Sequence, residues 1–130
     1  MKIQSLVLCT ALSISSLRAH HSFSAEFDAQ KPVTLEGTVT RLEWANPHVY
    51  FYIDVRDSSG TVANWACETG GPNSLIRSGW RRDAMKIGDK VIVKGYRARD
   101  NSNTADARQV TLADGRKVFT GSSDDGGPKQ

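Results

Sequence analysis

Between residues 33 and 44 apolar and polar side chains alternate, with Val33, Leu35, Gly37 and Val39 in one set and Thr34, Glu36, Thr38 and Thr40 in the other. A period of two places each set on one face of an extended chain, so the pattern predicts a β-strand. Leu42 and Trp44 fall out of phase by one position, which predicts a bulge or bend near Arg41. Asn46-Pro47 breaks the run, and residues 48–56 alternate again. Val49, Phe51, Ile53 and Val55 face one way, and His48, Tyr50, Tyr52 and Asp54 the other. A loop of hairpin composition, Asp57-Ser58-Ser59-Gly60, leads into a third strand over residues 62–69, with Ala63, Trp65 and Cys67 on its more apolar face and Asn64, Ala66 and Glu68 opposite. Paired positions share a face, so Glu68 falls across from Tyr50 or His48, depending on the register.

Gly70-Gly71-Pro72 ends this strand and sets a proline where a helix can start, which predicts a short helix over residues 73–78 closed by Gly79. Trp80 and Met85 are candidate packing residues. Further strands are predicted over residues 90–97, 107–112 and 116–119, with a polar loop over 100–104 and a tight turn at Asp114-Gly115. The stretch through Phe23, Phe27 and Pro32 reads as irregular, and the Gly-, Ser- and Asp-rich residues 120–130 read as a disordered tail. Three meandering strands, a helical connection and two or three more strands predict an all-β fold with one short helix. The expected architecture is a small five- to six-stranded Greek-key barrel of the OB type, with a plain β-sandwich as the alternative.

The amino-terminal residues follow a different logic. Lys2 precedes a mostly apolar run to Leu17, followed by Arg18 and the small residue Ala19, the order of a cleavable secretory signal. The run contains Gln4, Thr10 and several serines and falls short of the ~20 apolar residues a spanning helix needs, so no membrane anchor is expected after processing. Leu8 beside Cys9 is too bulky for a lipid-attachment site. Residues 1–19 are thus expected to be removed, leaving residues 20–119 as one domain in the periplasm or outside the cell, with His20 as the new terminus.

That cut changes the charge balance. It removes Lys2 and Arg18 and no acid, so 17 basic and 14 acidic residues become 15 and 14. The sequence pI near 9.0 is therefore no nucleic-acid footprint, and the local Arg77, Arg81, Arg82, Lys86 and Lys90 cluster is explained by a solvated face. Cys9 leaves as well. The remaining Cys67 has no disulfide partner and, inside an apolar strand, is expected to be inert packing.

An amino-terminal histidine can chelate a metal through its own amine and Nδ1, a bite denied to an internal histidine. With His21 next to it, the amine, the deprotonated His21 amide and the His21 imidazole form a second possible set. Nitrogen donors in tetragonal array suit Cu(II) best among divalent ions. His48 is the remaining histidine that could complete such a set, and Phe23 and Phe27 are placed to dock the arm on the barrel. The bland alternatives are a solvated end for His20 and His21 and a turn residue for His48. Catalysis would also need an open coordination position and a substrate surface, so binding is favoured over oxidation. A rival reading uses Tyr50 and Tyr52 with Asn64 and Glu68 as a face that takes a protein, peptide or sugar; its bland alternative is two tyrosines covering strand surface. No Gly-x-Ser-x-Gly, Cys-x-x-Cys or His-Glu-x-x-His pattern occurs, and the scattered aspartates form no calcium loop.

His20-His21-Ser22-Phe23 with Glu26-Phe27-Asp28, the corner Trp44-Ala45-Asn46-Pro47-His48, and the later Trp65, Gly79-Trp80, Gly88-Asp89 and Thr111-Leu112-Ala113-Asp114-Gly115 together resemble a family of small exported bacterial proteins known only as a domain of unknown function. The resemblance runs from His20 to about Phe119. It implies a periplasmic location and that the double histidine and the Asn-Pro-His corner are typical features, and it implies no activity.

Overall fold

The computed structural model describes residues 22–122 and 125–129. The leader expected over residues 1–19, together with His20 and His21, lies outside the described residues. A single helical turn, α1 (Phe23–Glu26), runs directly into the long strand β1 (Phe27–Glu43). It is followed by β2 (Tyr50–Arg56), β3 (Val62–Glu68), the short helix α2 (Pro72–Arg77), a 3-10 turn over Arg82–Ala84, β4 (Lys90–Ala98), β5 (Thr104–Thr111) and β6 (Lys117–Phe119). Pro72 stands at the start of α2, where its missing N–H costs nothing, and Trp80 N–H returns to Leu75 O at 2.9 Å just beyond its end.

The strands run β3-β2-β1-β4-β5-β6, and β3 also pairs with β5. That last pairing is parallel and matches Ala66, Cys67 and Glu68 with Thr104, Ala105 and Asp106. It closes β1, β2, β3, β5 and β4 into a ring with β6 attached to β5. The expected OB-type barrel is borne out, and closure removes the open sheet that a sandwich would keep. β1 serves both sides: Gly37 to Glu43 pair with β2, and Pro32 to Thr38 pair with β4. The register with β2 shifts between Val39 and Arg41, where the phase change in the sequence placed a bulge. Tyr50 is opposite Glu68.

Three expectations are corrected. β1 begins at Phe27, not Val33. Pro32 is tolerated inside it because the first half of β1 is paired only with β4, so the absent N–H leaves no gap in a second ladder. β5 begins at Thr104, not Ala107, because residues 104–106 are recruited by the parallel closure against β3. The segment after Phe119, expected to be a disordered tail, packs on the barrel in its described part. Thr120 is fully buried and its hydroxyl donates to Ala107 O at 2.7 Å, while Asp125 pairs with a buried arginine.

The inward faces of the strands supply the core, with Leu35, Val39, Phe51, Ile53, Trp65, Cys67, Val91 and Val93 all buried. The β3–β4 connection adds Leu75, Trp80 and Met85. Trp80 is fully buried and meets Phe51 and Trp44 edge-on, at 5.8 Å and 6.2 Å between ring centres. A second, separate cluster joins Phe23 and Phe27 to Ala98, with Tyr96 packed against it. This small cluster fastens α1 to the barrel wall.

Candidate functional site

His48 projects from the corner that joins β1 to β2, where the Asn46–Pro47 peptide is cis. The corner rests on the glycines after β3: a Cβ added to Gly71 would come within 2.8 Å of Pro47 O. Backbone bonds Val49 N–H to Gly70 O (3.1 Å) and Thr69 N–H to Val49 O (3.0 Å) fasten the two segments together. In this setting His48 Nδ1 lies 2.9 Å from Thr69 O. A carbonyl can only accept, so Nδ1 carries the proton and the ring's lone pair sits on Nε2. Metal-binding histidines are commonly held this way, one nitrogen donating to a carbonyl and the other left to coordinate.

Glu68 is buried although it lies on the face of β3 opposite the main core. Its Oε2 accepts a 2.6 Å bond from Tyr50 Oη, and its Oε1 is 3.7 Å from His48 Nδ1. The Glu68 contact is the weaker of the two made by that nitrogen, since the Thr69 carbonyl is much nearer. Burial, then the bond to Glu68 and its charge, pushes the Tyr50 phenol well above its ordinary value. Tyr50 therefore acts as a neutral donor, not as a phenolate.

The parallel register brings Asp106 beside Glu68. Asp106 is pushed up to about 7, chiefly by burial, with Asp125 and Glu68 adding to the rise and Arg108 opposing it. Arg108 is almost wholly enclosed, its Nε 2.6 Å from Asp106 Oδ2 and its Nη2 2.9 Å from Asp125 Oδ2. The Nε–Asp106 contact is close enough for an ion pair but is poorly aligned for a hydrogen bond, so both atoms lack a well-directed partner among the described residues. Neither charged residue of β5 stands out in the sequence. Asp106 and Arg108, two apart on one strand, look like an ordinary solvated face.

Residues 22–27 close over this cluster. Phe23 packs on Phe27 at 5.9 Å and edge-on to Tyr96 at 5.5 Å between ring centres, and Ser22 and Phe23 line one small cavity with His48, Glu68, Asp106 and Asp125. The cavity has room of about 10 Å³, enough for one atom-sized guest. Next to it, and sharing Glu26, Phe27 and Glu68, is a groove of about 440 Å³ lined also by Tyr50, Arg99 and Thr104.

Of the residues singled out in the sequence, the fold brings together His48, Tyr50 and Glu68 and sets them beside Ser22, the residue that follows His21. Tyr52 and Asn64 lie further along the same strands and have partners of their own. Arg41 stacks over the Tyr52 ring at 4.0 Å, and Asn64 donates to Asp54 Oδ1 at 2.8 Å and Thr40 Oγ1 at 3.1 Å. The register pairs Tyr50 with Glu68, Tyr52 with Ala66 and Asp54 with Asn64, so Tyr50, Tyr52, Asn64 and Glu68 all lie on one face of the β2–β3 pair. Cys67 is fully enclosed and its thiol is pushed up by burial, in keeping with packing. Among the described residues, no three His, Cys, Asp or Glu side chains converge to hold a metal, and no helix is long and apolar enough to cross a membrane.

A family model covers residues 7–107, most of the barrel and the whole of the amino-terminal arm. The chain belongs to DUF6152, a family of unknown function. The part matched to DUF6152 includes His20, His21 and His48 as well as Tyr50, Glu68 and Asp106. No curated protein matches this DUF6152 chain. Among solved structures it is similar to the dimeric N-terminal domain of the PriB protein from Thermoanaerobacter tencongensis, with 23% identity and a TM-score of 0.45 over 64% of this chain and 96% of that one.

Proposed function

We propose that this chain is a small exported binding protein that holds one Cu(II) ion through the amine and imidazole of an amino-terminal His20, with His21 and His48 completing the nitrogen set. The observation that carries this reading is the convergence of the arm with His48: Ser22 lines the same atom-sized cavity as His48 and Glu68. His20 and His21 are within two residues of that wall, a reach of about 7 Å in extended chain. Three further features support it. Phe23 and Phe27 anchor the arm. The Thr69 carbonyl leaves His48 Nε2 as the coordinating nitrogen. Glu26 and Glu68 bring negative charge to the cavity wall, which favours a cation over an anion.

The test uses protein recovered after export and processing. Mass spectrometry defines its first residue, and Cu(II) is titrated while the electron paramagnetic resonance spectrum is recorded. One equivalent of copper with nitrogen hyperfine structure is expected, and His48→Ala is expected to reduce the nitrogen count by one. A chain that starts at any residue other than His20, or copper with no nitrogen ligands, overturns the reading. A chain that keeps Met1 has no His20 amine and serves as the negative control.

The second reading, a module that takes a protein, peptide or sugar without metal, is favoured by the groove beside Tyr50 and Glu68. Binding abolished by Tyr50→Ala and unaffected by removing copper would support it.

A further inference from the structure

The geometry points to the segment around Asp125 as a latch that holds the amino-terminal arm on the barrel, with Arg108 and Asp125 as positioning residues for whatever the arm carries. The link to copper rests on the proposed function above; the latch itself does not.

Arg108 extends from β5 into a closed space, and each of its faces is used. Asp106 lies on one side, Asp125 on another, and Ser122 O accepts from Nη1 at 3.3 Å. Its guanidinium stacks over the Phe23 ring, 5.0 Å from the ring centre. Asp125 then contacts the arm directly, because its backbone carbonyl accepts the Phe23 N–H at 2.8 Å. The same aspartate therefore binds the barrel through its side chain and the arm through its main chain. Gly127 fits between them. A Cβ there would collide with the Arg108 guanidinium and come within 2.8 Å of Phe23 Cδ2, so a side chain at this position has to displace one of those two groups.

The same stretch also reaches the His48 side of the cavity. Thr120 N–H donates to Arg108 O at 2.8 Å, and Thr120 O accepts from Gly70 N–H at 2.8 Å. Gly70 is next to Thr69, whose carbonyl orients His48. One short segment thus touches the two parts that must meet to form the candidate site: the arm, through Asp125 and Gly127, and the His48 corner, through Thr120. Electrostatics explains why a Gly- and Ser-rich segment stays in place. A buried guanidinium must be neutralised, and the adjacent Asp106 has its negative form opposed by burial, so the Asp125 carboxylate supplies the charge that Arg108 requires.

Hydrogen exchange on the processed protein tests this, comparing wild type with Asp125→Asn, Asp125→Glu and Gly127→Leu. The expected result is at least about tenfold loss of protection at Phe23 and its neighbours in Asp125→Asn and Gly127→Leu, with β2 and β4 amides unchanged and recovery in Asp125→Glu. Gly127→Leu acts by steric displacement and leaves every barrel residue intact, so it answers the question even if Asp125→Asn folds poorly. Unchanged protection of the arm in both variants overturns the latch. Copper titration of the same variants separates the two proposals. Looser copper together with a looser arm supports positioning of the site, and an unchanged copper affinity with a loosened arm overturns that positioning role. If wild type binds no copper, the proposed function fails, and the latch is still decided by exchange at the arm alone.

Discussion

Asp106 has its charge opposed by its surroundings, and this has a consequence for stability. Its folded-state value of about 7 stands above the ordinary 3.8, raised first by burial. Between those values the folded protein retains a proton that the unfolded chain releases. The stabilisation from this group is therefore complete below about 3.8 and is lost as the pH rises through about 7. Unfolding by urea at several pH values should show wild type losing up to about 4 kcal/mol relative to Asp106→Asn between about pH 4 and 8, with no further change above that range. A difference that does not vary with pH would mean the carboxyl titrates normally. Cys67 gives a second prediction at this scale. Fully enclosed and with its thiol pushed up by burial, it should not react with a disulfide reagent in the native protein and should react at a rate set by opening of the barrel. Fast labelling without unfolding would show that the thiol is accessible.

Among the elements, the corner between β1 and β2 and the two glycines after β3 act as one unit. Gly71 has no space for a methyl group, because the nearest atom is the carbonyl oxygen of Pro47, part of the backbone and unable to swing aside. Gly71→Ala should cost about 1–3 kcal/mol in thermal or chemical unfolding, and it should shift the His48 ring resonances because the displaced corner carries that ring. An unchanged His48 spectrum would show that the corner and the glycine loop move independently. Gly95 plays a comparable part in β4. The β4–β5 register shifts between Lys94 and Gly95, and a Cβ there would collide with Asp106 O. The close approach of strands that carries Asp106 toward Glu68 thus depends on a glycine in the middle of a strand.

The described residues form two packed clusters with no residue in common, the barrel core and the Phe23, Phe27 and Ala98 group that anchors the arm. Trp80→Ala, which empties the centre of the first, should destabilise by about 3–5 kcal/mol. Phe27→Ala should cost less, since its cluster is small, and should loosen the arm before the barrel. Because the clusters are separate, the costs should add to within about 0.5 kcal/mol in the double variant, measured by urea unfolding. A larger coupling would mean that the arm is part of the cooperative core. Closure also acts at this scale: the parallel contact of β3 with β5 brings Glu68 to Asp106 across the barrel wall, and the arm then covers both.

Local pattern carried much of this fold. Alternation from Val33 onward, the phase slip at Arg41, Pro72 opening a helix and Asp114-Gly115 turning into β6 are short-range consequences of side-chain period and backbone preference, so they can be read from neighbouring residues. The same holds for the inert environment of Cys67 and for the sharing of a face by Tyr50 and Glu68. The β3–β5 closure could not be read this way, because it joins residues far apart in the chain and leaves no period of its own. Asp106, Arg108 and Asp125 resembled solvated charges until folding enclosed them against one another and against Phe23. Their burial is a property of the closed barrel and of the segments before β1 and after β6 that pack on it. Nothing local distinguishes an arginine that faces water from one that ends up beneath a segment distant in the chain.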